Sequence, residues 1–178
     1  MNKIIIIRYG YRLVRDYRIT THLALVARAL GCDGMIITDI EDKKVQKTIK
    51  KINSQWGGEF FIKQGIKWKK IISQIKKNDD LLIHLTMYGE KLEQSIIEEI
   101  NSFEKDIYIF VGAKKVPAEI YKEADFNLAI SFQPQSEVGA LAIFLDRLFV
   151  GKGLYRTFKD AKLRIVSSKD GKKVKKLD

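Results

Sequence analysis

The chain has 178 residues, of which 46% are hydrophobic and 31% are charged, so it is long enough for one globular domain with a buried core. Its single cysteine, Cys32, excludes an internal disulfide and a cysteine-based zinc site, and with two histidines we expect no metal site. The cysteine usage favours a reducing, cytoplasmic setting. We expect no membrane partner, because no apolar run reaches the roughly 18 residues of a membrane span.

The net charge of +11, from 33 basic and 22 acidic residues, favours an anionic partner such as RNA or DNA. A lysine-rich surface can also simply keep a protein soluble. The basic residues, however, are clustered: residues 8–18 hold four arginines and one aspartate, and the last twenty residues hold eight basic and three acidic side chains. This clustering strengthens the prediction of a nucleic-acid partner.

Short β-branched runs alternate with amphipathic segments along the chain. In chain order we predict a strand at 3–8, a helix at 21–30, a strand at 33–38, a helix at 42–56, a strand at 59–63, a helix at 67–76, a strand at 80–86, a helix at 92–103, a strand at 107–112, a short turn or helix at 117–123, a strand at 126–130 and a helix at 137–149. This alternation predicts an α/β fold with a mostly parallel sheet that is covered on both faces.

Local signals place the ends of two helices. Thr20 or Thr21 can cap the start of the first helix, Gly31 can end it in the left-handed conformation, and Ser136 can cap the last helix. After "GKG" the chain becomes polar and basic, with one strand candidate at 162–166. We therefore predict one domain at 1–150 and a basic C-terminal extension at 151–178.

Ligands of parallel sheets bind at the carboxyl ends of the strands. The sequence contains no G-x-G-x-x-G, no P-loop and no serine nucleophile elbow. Three other stretches end strands: "LIHLTMYG" (82–89), "FVGAKKVP" (110–117) and "ISFQPQSEVGALAIFLDRL" (130–148). Met87 and Tyr88 either line an adenine pocket or pack in the core. His84, flanked by apolar residues, favours a hydrogen-bonded core histidine over a catalytic one.

Four stretches together carry a family resemblance: "RDYRITTHLALVARALGCDG" (15–34), "HLTMYG" (84–89), "VGAKKVP" (111–117) and "QPQSEVGALAIFLDRLF" (133–149). The chain resembles the archaeal tRNA cytidine-56 2'-O-ribose methyltransferases of the SPOUT superfamily, collinearly from about residue 4 to residue 172. It departs from the family pattern at Lys114, where the family has glutamate, and at Phe132 and Gln135, where the family has asparagine and histidine.

The resemblance implies a Rossmann-like parallel sheet with a C-terminal trefoil knot, a homodimer, S-adenosylmethionine as cofactor and tRNA as substrate. The apolar helix at 137–149 suits a dimer interface, although core burial explains it as well. The cofactor contacts implied by the match are these: Leu85, Gly112, Ala113, Lys114, Lys115, Val116, Ile130, Ser131, Phe132, Gln133, Pro134, Gln135, Ser136 and Glu137.

Arg28 matches the arginine of the superfamily's first motif, which makes it the predicted catalytic residue. A guanidinium keeps its proton to above about pH 12, so we expect Arg28 to donate to the ribose oxygen or a phosphate, and the proton acceptor stays open. A structural arginine is the alternative. We expect the turns at 85–89, 112–116 and 130–137 to converge into one cavity, with Arg28 of the same or the neighbouring subunit facing it.

Predicted RNA contacts lie in the two basic clusters, where a solvated loop and a solvated tail are the alternatives. They are Arg12, Arg15, Arg18, Lys172 and Lys173. Two other functions compete with a tRNA ribose methyltransferase: a non-catalytic RNA-binding SPOUT protein whose cofactor site is impaired by Lys114 and Phe132, and an unrelated flavodoxin-like nucleotide-binding domain.

Overall fold

Strands and helices alternate as the sequence predicts in a computed structural model that describes residues 2–177. The strands are β1 (Ile4–Tyr9), β2 (Gly34–Thr38), β3 (Phe61–Ile66), β4 (Leu81–Lys91), β5 (Ile107–Gly112), β6 (Phe126–Ala129), β7 (Leu163–Val166) and β8 (Lys173–Lys176). The helices are α1 (Tyr17–Leu30), α2 (Lys43–Trp56), α3 (Trp68–Lys77), α4 (Gln94–Asn101), α5 (Ala118–Glu123) and α6 (Glu137–Leu148), followed by a 3₁₀ turn at Lys152–Tyr155.

Six strands form one parallel sheet in the order β3-β2-β1-β5-β4-β6. In β1, Ile5 pairs with Gly34 of β2 on one side and with Tyr108 of β5 on the other. Because all six strands run the same way, their carboxyl ends meet at one edge of the sheet. The predicted mostly parallel α/β sheet is therefore confirmed.

The alternating side chains of the central strands supply two separate cores. Ile5 and Ile7 face α3 and α5, whereas Ile6 faces the layer that contains α1, α2, α4 and α6. All three isoleucines are at most 5% exposed. The sheet is thus covered on both faces, as the β-branched runs predict.

The first helix begins earlier than predicted. It starts after Asp16, and Thr20 and Thr21 lie buried inside it rather than at its cap. Thr21 Oγ1 donates to the Tyr17 carbonyl, so its hydroxyl is satisfied within the helix. The prediction at the other end is confirmed: Gly31 has φ +116° and its N–H donates to the Ala27 carbonyl. Ser136 also caps α6 as predicted, since its side chain accepts from the Val138 N–H.

Strand β4 is longer than predicted and is interrupted. Leu85 and Glu90 both pair with Leu128 of β6, so residues 86–89 leave the sheet between them and the strand resumes at 90–91. The interruption is defined by pairing with a strand that lies some 40 residues further on in the sequence, so periodicity along β4 could not predict it.

The C-terminal extension forms an antiparallel hairpin, β7-β8, of which only the first strand was predicted. The hairpin and the turn before it pack at the amino-end edge of the sheet: Lys162 N–H donates to the Gln55 carbonyl at 3.0 Å, and Gly58 N–H donates to Asp160 Oδ1 at 2.9 Å. The domain boundary at residue 150 stays a prediction. Among residues 2–177, no helix has both the length and the apolar character needed to cross a bilayer.

Candidate functional site

The three turns that follow β4, β5 and β6 meet in one cleft at the carboxyl edge of the sheet. The cleft has a cavity volume of about 170 Å³. Its lining combines apolar side chains with a few polar ones, the usual composition of a small-molecule site. The lining residues are Leu85, Thr86, Met87, Val111, Gly112, Ile130, Ser131, Gln135, Glu137 and Ala140.

A second, wider cleft adjoins the first and shares Leu85, Thr86, Met87 and Gly112 with it. The first two residues of the excursion, Thr86 and Met87, therefore line both clefts. The other lining residues of the second cleft are His84, Tyr88, Lys114, Lys115, Val116, Ala118 and Tyr121. Tyr88 is 80% exposed, so it is not a core residue.

Most predicted cofactor contacts line one of these two clefts: Leu85, Gly112, Lys114, Lys115, Val116, Ile130, Ser131, Gln135 and Glu137. The remaining predicted contacts belong to the same turns but line neither cleft: Ala113, Phe132, Gln133, Pro134 and Ser136. Thr86, Val111 and Ala140 were not predicted, although the first two directly flank predicted residues and Ala140 follows Glu137 by about one helical turn.

Two positions at which the sequence departs from the family pattern leave the clefts open. Phe132 is 61% exposed and is not among the lining residues of either cleft. The Lys114 side chain crosses Gly10, and its Nζ lies 5.6 Å from the centre of the Tyr9 ring. Phe132 therefore lines neither cleft, whereas Lys114 lines the second cleft with its side chain lying over Gly10.

Gly112 is a position of close backbone approach in the turn after β5. A Cβ at this position would lie 2.6 Å from Val116 Cγ2 and 2.9 Å from the Lys114 carbonyl oxygen, both closer than real Cβ atoms come. The turn therefore depends on the absence of a side chain at Gly112, as the strand-glycine-proline pattern predicts.

Arg8, one of the four arginines at residues 8–18 and without a predicted role, is fully buried near the end of β1. Its guanidinium donates to Thr20 Oγ1 at 3.2 Å, to the Gly112 carbonyl at 3.1 Å and to Glu137 Oε1 at 2.8 Å. Two of these partners line the first cleft. The signal in the sequence is a charged residue directly following four isoleucines, which predicts burial with partners.

The arginine loop, residues 11–16, lies next to the cleft. Arg12 makes a two-point ion pair with Asp16 and donates to the Ala113 carbonyl at 3.2 Å. Burial raises the pKa of Asp16, but the hydrogen bonds from Arg12 outweigh burial and the pKa is lowered overall. Arg12 is thus engaged within the chain, whereas Arg15 and Arg18 are exposed. Lys172 and Lys173 are exposed too, in the hairpin at the opposite edge.

Arg28 does not face the cleft of its own chain, so the expectation is wrong for the same subunit, and a place at the cleft of the neighbouring subunit stays a prediction. Its Nε donates to Asn53 Oδ1 at 2.9 Å, its Nη2 donates to the Gly57 carbonyl, and its guanidinium stacks 4.6 Å from the centre of the Phe158 ring. Burial lowers the pKa of Arg28, opposed by nearby Asp160. The cause is helix geometry: α1 starts at the carboxyl edge, and residue 28 lies roughly 16 Å further along its axis.

His84 is a core residue, as predicted. It is 1% exposed, its Nδ1 lies 2.9 Å from Asn127 Oδ1, and its ring packs edge-on against Tyr121. Asn127 Nδ2 donates to the Tyr121 carbonyl, which orients the amide oxygen toward the histidine. Burial lowers the pKa of His84 and outweighs the hydrogen bond to Asn127, so the ring is neutral near pH 7. Across residues 2–177, acidic residues, histidines and the cysteine form no group that could hold a metal ion.

Comparison with known proteins decides the family. Residues 56–175 match the family described as "tRNA ribose 2'-O-methyltransferase, aTrm56". The chain belongs to this family. A relative from Staphylothermus marinus named tRNA (cytidine(56)-2'-O)-methyltransferase is 50% identical over 98% of this chain and 94% of its own length. A relative of the same name from Methanocaldococcus jannaschii is 52% identical over 95% of this chain and 94% of its own.

The fold is shared with solved structures of more distant proteins. The SpoU methyltransferase AviRb from Streptomyces viridochromogenes, crystallised with the cofactor AdoMet, superposes with a TM-score of 0.59 at 12% identity, covering 85% of this chain and 58% of AviRb. At this identity the likeness shows the fold alone. Together with the family match, this likeness shows that the chain has the SPOUT methyltransferase fold.

Proposed function

We propose that the protein is an S-adenosylmethionine-dependent methyltransferase that methylates the ribose 2'-oxygen of a tRNA cytidine, cytidine-56 in the T-loop. Family membership supports the reaction and the substrate. The observation that carries the proposal for this chain is the convergence of the turns at 85–88, 112–116 and 130–137 into one cleft. Because the substrate is tRNA, we place the protein in the cytoplasm.

The residues at the cleft fit the cofactor. The space beside the Gly112 Cα is taken by Val116 and the Lys114 carbonyl, so the tight turn that lines the cleft forms only without a side chain at this position. Leu85, Val111 and Ile130 supply apolar contact, and Ser131, Gln135 and Glu137 supply polar groups. When bound, S-adenosylmethionine supplies an electrophilic methyl group on a sulfonium.

The chain's own residues orient the ribose and bind its flanking phosphates. Orientation of two reactants can contribute several kcal/mol, up to about 7–11 kcal/mol with ideal geometry. Because Arg28 is engaged elsewhere, we assign the donor role proposed for it to the exposed arginines near the cleft, Arg15 and Arg18, and we assign Arg28 to stabilising the fold. Lys172 and Lys173 extend the tRNA contact from the hairpin. The proton acceptor is unassigned.

We also propose that the chain is knotted and dimeric. After β6, the outermost strand, the chain returns to α6, which packs on α1 beside the central strands. A path that threads the turns after β4 and β5 would make this return a trefoil knot. The outer face of α6 carries Ile143, which is 48% exposed, and this face suits the interface of a homodimer.

The competing function, a non-catalytic RNA-binding protein, depends on an impaired cofactor cleft. Phe132 is exposed outside the lining, and Lys114 lies against Gly10 and Tyr9. Since neither residue blocks the cleft, the catalytic function is favoured.

The test is methyl transfer to an unmodified tRNA transcript, with the modified nucleotide mapped by mass spectrometry. A transcript with 2'-deoxycytidine at position 56 is the matched control because it lacks only the acceptor hydroxyl. We expect methylation of the ribose of cytidine-56 in the first transcript and none in the second. Methylation of a base, or no heat on titration of the folded protein with S-adenosylmethionine, would contradict the proposal.

A further inference from the structure

Arg8 is a charged residue held entirely inside the protein, 0% exposed between the sheet and the helices α1 and α6. Burying a guanidinium is unfavourable unless its N–H groups and its charge find partners. Here the charge is paired with Glu137, whose side chain is 27% exposed at the first turn of α6. A carboxylate at a helix N-terminus is also favoured by the helix dipole.

The three partners of Arg8 belong to three different segments. Nε donates to Thr20 of α1, Nη1 donates to the Gly112 carbonyl after β5, and Nη2 donates to Glu137. Gly112 and Glu137 come from different turns of the first cleft, and both line it. One planar group therefore fixes the position of two cleft turns relative to each other and to α1.

Two further hydrogen bonds connect the turn after β5 to residues at the end of β1 and just after it. The Ala113 N–H donates to the Tyr9 carbonyl at 2.8 Å, and Arg12 donates to the Ala113 carbonyl at 3.2 Å. The consecutive carbonyls of Gly112 and Ala113 thus each accept from an arginine, the first from Arg8 in β1 and the second from Arg12 in the loop that follows it. The turn after β5 is held by side chains that do not themselves line either cleft.

We propose that Arg8 is a positioning residue for the cofactor cleft: it touches no ligand, and it sets the separation between the turn at 112–116 and the start of α6. This inference rests on the proposed function, because it assumes that the cleft binds S-adenosylmethionine. Lysine cannot replace Arg8, since a single ammonium on a flexible stem does not reach three partners in fixed directions.

The test compares Arg8→Lys and Thr20→Val with Arg28→Lys, a matched control at a buried arginine remote from the cleft. The dissociation constant of S-adenosylhomocysteine is measured by calorimetry for each variant. The melting temperature of each variant and the hydrogen exchange of its residues 112–116 are measured separately. We expect Arg8→Lys to raise the dissociation constant at least tenfold and to speed exchange in 112–116. Thr20→Val removes one partner of Arg8 without touching the cleft and should raise the constant about threefold.

The control separates positioning from general stability. Arg28→Lys should lower the melting temperature and keep the dissociation constant within twofold. In methyl transfer, Arg8→Lys should raise KM for S-adenosylmethionine by a larger factor than it lowers kcat. If Arg8→Lys folds and binds S-adenosylhomocysteine with wild-type affinity, the inference is wrong. If Arg8→Lys does not fold, wild-type affinity in Thr20→Val overturns the inference instead. Wild-type protein that binds no S-adenosylhomocysteine overturns the proposed function as well.

Discussion

His84 and Arg28 belong to residue types that often take part in chemistry, and contacts within the chain engage both. His84 sits inside β4 between Phe110 and Tyr121, with its Nδ1 committed to Asn127. Arg28 sits at the far end of α1, where it joins the C-terminal ends of α1 and α2 to the segment that leads into the hairpin. Both residues therefore contribute to stability.

Protonation of His84 should make stability depend on pH. The ordinary histidine pKa is 6.5, and burial lowers it in the folded state, so the unfolded chain binds this proton more readily. The stability linked to His84 is therefore complete above about pH 6.5 and is lost as pH falls from there through the lowered pKa. Urea unfolding between pH 7.5 and 5 should show this loss, and the pH dependence should be smaller in His84→Gln.

The exposed histidine provides the control for that experiment, since His22→Gln should keep the wild-type pH dependence. The ring of His84 can also be followed directly by NMR. A folded-state titration of His84 centred above pH 6.5 would contradict the expected direction.

Truncation of Arg28 should destabilise the protein and spare the cleft. Arg28→Ala removes two hydrogen bonds and the stacking on Phe158, a loss of about 2–3 kcal/mol in the free energy of unfolding. The affinity for S-adenosylhomocysteine should stay at the wild-type value. An Arg28→Ala protein of wild-type stability that no longer methylates tRNA would instead restore the catalytic role expected from the sequence.

At the scale of elements, β4 serves the sheet and the cleft in succession. Residues 81–85 are buried in the ladder, residues 86–89 leave it and bring Thr86 and Met87 into the lining of both clefts, and residues 90–91 pair with β6 again. The turn after β5 closes the same space from the other side, and its path is set by Gly112.

A side chain at position 112 should therefore damage cofactor binding more than folding. In Gly112→Ala the new Cβ collides with Val116 and the Lys114 carbonyl, so the turn must shift. We expect the dissociation constant of S-adenosylhomocysteine to rise at least tenfold in calorimetry. Gly139→Ala in α6 is the matched control, because no atom lies within 4 Å of the added Cβ. Equal binding by the two variants would contradict the role of the turn.

At the scale of the whole molecule, the two basic clusters proposed to contact tRNA lie at opposite edges of the sheet. Arg15 and Arg18 lie at the carboxyl edge near the cleft, whereas Lys172 and Lys173 lie in the hairpin at the amino edge. A tRNA that reaches both edges must extend across the protein or across a dimer. Association with a polyanion of this kind depends strongly on salt.

Salt titration can identify which basic residues contact tRNA phosphates. Each lost phosphate contact should reduce the slope of log affinity against log salt by about one. We expect this reduction in Arg15→Ala and in Arg18→Ala, measured by fluorescence anisotropy with a tRNA transcript, and a similar one in each hairpin variant, Lys172→Ala and Lys173→Ala. Lys77→Ala, on the exposed side of α3, is the control and should keep the wild-type slope. An unchanged slope in all four variants would reject both basic clusters as tRNA contacts.

A charge on the outer face of α6 should separate the subunits. Ile143→Glu places a carboxylate at an exposed apolar position, where a dimer would bury it without a partner. Light scattering after gel filtration should give a dimer for the wild type and a monomer of unchanged melting cooperativity for Ile143→Glu. A wild-type protein that elutes as a monomer would reject the proposed dimer.

The sequence by itself determined the alternation of strands and helices, the cap at Ser136, the end of α1 at Gly31 and the set of turns that meet at the carboxyl edge. These features follow from local preferences and from the parallel sheet that alternation requires. Only the tertiary structure decided that Arg8 is hydrogen-bonded to residues of the cleft whereas Arg28 of the same chain is not. It also decided that residues 86–89 leave β4 and that the lysine-rich tail pairs with β7 as strand β8. Each of these features depends on partners that are distant in the sequence, so a local sequence pattern cannot predict it.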